Sequence, residues 1–91
     1  GVAREVWEAQ GLRVRGATLS GIAAEGLEAG SGIRSRTLAS LEWGWAEGRE
    51  ADRLSSRDVL VVDEAGMVGS RQLERVLTHA QQAGAKVVLV G

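Results

Sequence analysis

Four consecutive apolar residues, Val59-Leu60-Val61-Val62, run directly into two carboxylates, Asp63-Glu64. A strand that is apolar at every position is buried on both faces, which is the pattern of a parallel sheet flanked by helices. A second run of this kind, Lys86-Val87-Val88-Leu89-Val90, ends at Gly91. Between them lies an amphipathic helix. Leu73, Val76, Leu77 and Ala80 follow the i, i+3, i+4, i+7 rule and Gly84 supplies the stop.

The earlier half repeats the alternation of helix and strand. Val2, Val6 and Ala9 predict a helix over 2–10, with Gly11 as its stop. Residues 12–19 alternate loosely and read as a strand. Ser20 stands where an N-cap belongs, ahead of a helix with Ile22, Ala23 and Leu27 on one face, which Gly30-Ser31-Gly32 ends. Ser35 or Thr37 caps a third helix that carries Leu38, Leu41 and Trp45 on one side. Residues 48–57 are polar and read as a surface connection. His79 is expected to be a solvated helix residue. Trp7 is expected to pack. Of Trp43 and Trp45, one is expected in the core and the other half-exposed, with base stacking as the rival role.

This is α/β logic: a three-stranded parallel sheet with helices on both faces, joined by right-handed crossovers. Residues 1–91 read as a single partial domain. A chain that stops where a buried strand ends is expected to continue.

Charge and composition narrow the function. Eleven basic residues face twelve acidic ones, for a net charge of −1, which is no polybasic nucleic-acid binder. There is no cysteine and a single histidine, so neither a disulfide scaffold nor a His/Cys metal site is available. No apolar run is long enough to span a bilayer and there is no secretory signal pattern; a cytoplasmic location is the expectation.

The chemistry concentrates at Asp63 and Glu64. Paired acids at the carboxyl end of a buried parallel strand sit where open α/β sheets bind ligands. An apolar strand followed by Asp-Glu is the Walker B arrangement. Its first acid holds Mg²⁺, an ion that prefers oxygen ligands, and its second polarises the attacking water in phosphoryl transfer. The structural alternative is a pair of acids that cap the next helix or face water. Asp63-x-x-Gly66 also matches the metal/γ-phosphate loop of GTPase-like switches, although no guanine-specificity motif accompanies it. The phosphate cradle G-x-x-x-x-G-K-[ST] is not in these residues, because the only lysine, Lys86, is followed by Val87. The segment by itself is therefore expected to be inactive toward ATP.

The string VLVVDEAGMVGSRQLERVL…AGAKVVLVG, preceded by RVRGATLSGIAAEGLEAGSGI and SRTLASLE, resembles superfamily 1 DNA helicases of the RecD-like branch. The likeness covers essentially the whole chain and is nearest to the helicase part of TraA-type conjugative transfer relaxases. It implies a partial RecA-like P-loop NTPase domain, ATP and Mg²⁺ as cofactors, and ATP-driven translocation on single-stranded DNA. Plasmid transfer-origin DNA and the rest of the relaxase-helicase are the implied partners. On this resemblance Asp63 and Glu64 are the Walker B acids, with Asp63 holding Mg²⁺ through a water, and Met67 is the motif's methionine, expected to pack rather than react. Gly91 opens a Gly-Asp-x-x-Gln motif that senses the γ-phosphate. Ser20, Gly21 and Thr37 are implied DNA contacts, and Ala39 stands where many relatives carry a histidine; Arg34 and Arg36, read as loop arginines, either meet DNA phosphates or are simply solvated. In that fold residues 13–18 are outermost, 58–63 central and 86–90 next, leaving an apolar strand edge for the Walker A strand. A RecD-type repair helicase subunit is the nearest alternative parent. A non-catalytic α/β interaction module is the remaining rival.

Overall fold

A computed structural model describes residues 2–91. Its elements alternate as α1 (Val2–Ala9), β1 (Arg13–Thr18), α2 (Gly21–Ser31), β2 (Arg34–Thr37), α3 (Leu38–Ala46), β3 (Asp58–Val62), α4 (Ser70–Ala83) and β4 (Lys86–Leu89). Short 3₁₀ turns cover Glu50–Asp52 and Ala65–Met67. The sheet is parallel throughout, in the order β2-β1-β3-β4. The outer edge of β4 has no strand partner among the described residues.

The sheet has four strands, not three, and β1 is therefore interior rather than outermost. Arg34-Ser35-Arg36-Thr37 carries no apolar residue and gave no strand signal. It is held by backbone pairing to β1, with Arg15 opposite Arg34 and Thr18 opposite Thr37. Edge strands are routinely short and charged, which blunts further pairing. β3 is central, buried at all five positions, as its apolar sequence requires.

Side chains alternate between two cores. Ala17, Leu60 and Val62 face α3 and α4 and meet Leu38, Leu41, Val76 and Ala80. Val14, Val59 and Val61 point the other way and meet Ile33 and Trp7. Gly16 lies on that second face, where a Cβ would sit 2.8 Å from Leu27 Cδ2 of α2 and 2.3 Å from Ser35 Oγ. A glycine there lets α2 lie close over the sheet.

Several expectations are corrected. Ile22 is 84 % exposed; the inward residue of α2 is Ala24, with Leu27 partly covered. Residues 48–57 are not all surface, because Leu54 and Asp52 are buried. Met67 is 72 % exposed rather than packed. His79 stacks on Trp45, centroid to centroid 4.0 Å and 13° from parallel. That contact joins α4 to α3, a tertiary pairing that helix periodicity does not reveal. Trp43 is exposed and Trp45 partly buried.

Candidate active site and strand-end loops

The carboxyl ends of the strands form one rim. In parallel pairing, Thr37 of β2 lies beside Thr18 of β1, and Ala17 lies beside Val62 of β3. Ser20 and Thr37 thus start neighbouring helices on this rim, and Asp63-Glu64 follow one strand further along. Both N-caps form as the side chains dictate. Ser20 Oγ accepts from the Ala23 N–H at 3.1 Å, and Thr37 Oγ1 accepts from the Ser40 N–H at 3.0 Å. Gly21 begins α2 with nothing within 4 Å of a Cβ position. The buried Thr18 hydroxyl donates to the Ser20 carbonyl at 2.9 Å, fixing the turn between β1 and α2.

The acid pair is stitched from both sides. The Asp63 N–H donates to the Ala17 carbonyl (2.9 Å), the Ala65 N–H to the Val90 carbonyl (2.8 Å) and the Val90 N–H to the Val62 carbonyl (2.9 Å). Glu64 has φ 51° and ψ 43°, a left-handed conformation that a non-glycine residue adopts at a cost. Its N–H donates to Asp63 Oδ1 at 3.0 Å. Asp63 is half-buried and Glu64 exposed, and neither has an ion-pair partner among the described residues. A cleft of about 90 Å³ is lined by Thr18, Leu19, Ser20, Ala23, Asp63 and Glu64. Ser20 and the two acids therefore share one surface, although Asp63 and Glu64 lie 43 and 44 positions away in sequence. Gly91 is exposed, just beyond β4 on the same rim.

The donor set suits a magnesium ion shared with a phosphate ligand. Mg²⁺ is usually held by one or two carboxylates plus substrate oxygens rather than by an all-protein cage. Asp63 offers one carboxylate at a strand end, with Oδ1 accepting only the Glu64 N–H and no ion pair among the described residues. No group of three or more potential protein ligands gathers among the described residues, so a cage of side chains is not what this rim offers.

Arg36 stands apart from this rim. Its guanidinium is paired with Asp52, whose side chain is buried against α3. Gly44 makes room for it: a Cβ there would lie 1.9 Å from Asp52 Oδ2. Trp45 Nε1 donates to the Asp52 carbonyl at 2.6 Å. Asp58, also buried, accepts from Arg13 at 2.9 Å and from the Ser55 N–H at 2.7 Å. The burial of Asp52 was invisible in a stretch, residues 48–57, that reads as a polar connection, and sequence reasoning missed that of Asp58 at the start of the central strand.

Comparison with known proteins places this geometry. The AAA domain family matches residues 1–91. The probable conjugal transfer protein TraA of Sinorhizobium fredii (strain NBRC 101917 / NGR234) is 56 % identical over 89 residues. The conjugal transfer protein TraA of Rhizobium radiobacter is 53 % identical, and that of Agrobacterium fabrum (strain C58 / ATCC 33970) 52 %, over the same length. Each alignment covers 98 % of this chain and 8 % of the relative, so the chain spans about a twelfth of those proteins. The parallel sheet with helices on both faces is that of a P-loop NTPase, and the chain belongs to the AAA domain family.

Proposed function

We propose that this chain is part of the ATPase motor of a TraA-type conjugative relaxase-helicase, coupling ATP hydrolysis to movement along single-stranded plasmid DNA. The observation that carries the reading is the Asp63-Glu64 pair, without an ion-pair partner among the described residues, in one cleft with the Ser20 helix start. Asp63 would hold Mg²⁺, which supplies charge neutralisation on the nucleotide phosphates. Glu64, exposed and in a fixed backbone conformation, orients the attacking water and takes its proton. Gly91, just beyond β4, leads toward the nucleotide.

Ser20, Gly21 and Thr37 are the proposed contacts to the DNA backbone. Helix N-termini present N–H groups and a partial positive charge to an anion. Ser20 and Thr37 already accept cap bonds through their oxygens, which leaves each hydroxyl proton to donate to a phosphate. Because Ser20 lines the same cleft as Glu64, strand binding at α2 is felt at the acid pair.

The test uses the full-length protein that carries this segment. ATP hydrolysis stimulated by single-stranded DNA, together with displacement of a labelled strand from a partial duplex, is the expected result. Nucleotide turnover restricted to GTP, or turnover indifferent to DNA, would favour a switch or an unrelated ATPase.

A further inference from the structure

A second surface lies away from the Asp63 rim. α3 starts at the rim after Thr37 and runs back across the sheet, so Trp45 and the residues after it lie toward the amino ends of the strands. There a cleft of about 290 Å³ is lined by Trp45, Arg49, Arg53 and His79, with Gly48 and Glu50. A neighbouring cleft of about 210 Å³ has Arg15, Arg34, Arg36 and again Arg49 in its wall, together with Asp52. Arg49 lines both, so the two clefts adjoin at its side chain to give a two-part groove. Five arginines face two carboxylates along it, in a chain whose net charge is −1.

Two of these arginines are spoken for. Arg36 pairs with Asp52, and Arg15 donates to the carbonyls of Ala51 and Arg53. Arg34 and Arg49 have no ion-pair partner among the described residues; Arg49 rests 5.6 Å from the Trp43 ring centroid. Arg34 is directly opposite Arg15 across the parallel strands. Like charges in register are destabilising. Arg15 is pushed below its ordinary pKa, first by burial, with Arg13 and Arg34 adding to the fall against the pull of Asp58 and Asp52. The groove thus holds positive charge that the fold does not neutralise.

We propose that this groove binds a single-stranded segment of nucleic acid, with phosphodiesters on Arg34 and Arg49 and a base against the His79–Trp45 stack. Guanidinium forks match phosphate oxygens, and aromatic faces beside cationic groups are how unpaired strands are held without sequence preference. A base in a duplex is already stacked and cannot use the aromatic pair. The inference rests on the reading of the chain as part of a DNA motor and adds a contact surface beyond the helix starts at Ser20 and Thr37.

The test is fluorescence anisotropy of a labelled oligothymidylate with the full-length protein across a salt series. Arg34→Ala with Arg49→Ala is expected to weaken binding about tenfold and to lower the log–log salt slope by about 1.4, the value for two lost phosphate contacts. His79→Ala is expected to weaken binding about fivefold or more with the slope unchanged, as for a lost stacking contact. The charge-matched control Arg57→Ala with Lys86→Ala is expected to keep the wild-type slope, and ATP hydrolysis without DNA reports that each variant is folded. A wild-type slope and affinity in the Arg34/Arg49 variant, or an equal loss in the control, overturns the groove. If that happens while Ser20→Asp weakens binding, the DNA-motor reading survives alone. If the wild-type protein binds no oligonucleotide, both fall.

Discussion

Glu64 follows Asp63 in a left-handed backbone conformation, φ 51° and ψ 43°, with its N–H on Asp63 Oδ1 at 3.0 Å. Strained residues of this kind cost about 1 kcal/mol or more and gather at functional sites. Glu64→Gly removes the Cβ penalty. It is expected to raise the stability of the fold by about 1 kcal/mol while abolishing ATP turnover in the full-length protein. Chemical denaturation and steady-state hydrolysis, measured on the same variant, check the two halves separately.

Gly44 and Gly66 make a matched pair. A Cβ on Gly44 would meet Asp52 Oδ2 at 1.9 Å, and Asp52 is held by Arg36 and cannot retreat. Gly44→Ala is expected to cost about 1–3 kcal/mol, the usual range for overpacking. Gly66 has nothing within 4 Å, so Gly66→Ala is expected to change stability by less than about 0.5 kcal/mol. Urea midpoints of the two variants give the comparison; equal midpoints would show that Asp52 is not confined.

The Ser20 cap and the proposed DNA contact can be separated by charge. Ser20→Ala loses the bond to the Ala23 N–H and is expected to cost about 1 kcal/mol of stability. Ser20→Asp keeps a good cap and favours the helix start, yet repels a phosphate there. It is expected to retain wild-type stability and weaken single-strand binding. Unchanged oligonucleotide affinity in Ser20→Asp would remove Ser20 from the DNA contacts.

Burial against Trp45 lowers the pKa of His79 from its usual 6.5. The folded chain therefore binds fewer protons than the unfolded chain near that pH. The contribution of His79 is fully present above about pH 6.5 and declines as pH falls through it. Thermal melts between pH 7.5 and 5.5 are expected to show a decline that is smaller in His79→Gln. Equal declines in the two proteins would contradict partial burial of the neutral ring against Trp45.

What was legible in the sequence is what local pattern controls. β3 and α4 follow from an unbroken apolar run and a helical apolar stripe, and Gly32 and Gly84 close α2 and α4 in left-handed conformations. Ser20 and Thr37 cap because their hydroxyls suit a helix start. What was not legible depends on partners distant in sequence. β2 exists only because β1 offers its edge to a segment with no apolar residue. Asp52 is buried because Gly44 lacks a side chain and Arg36 reaches across. His79 is partly covered because α3 brings Trp45 beneath it. The acid pair was found from its strand, but its nearness to Ser20 required the register of β1 against β3.

The central claim is that Glu64 activates water at a site where Asp63 holds the metal–nucleotide complex. The most direct measurement pairs nucleotide binding with steady-state hydrolysis for Glu64→Gln in the full-length protein. An amide keeps the size and position of the side chain but cannot take a proton, and general-base loss is worth about 10²–10⁴ in rate. Wild-type ATP affinity with turnover reduced by that factor is the predicted result. Hydrolysis at the wild-type rate would contradict the assignment of Glu64.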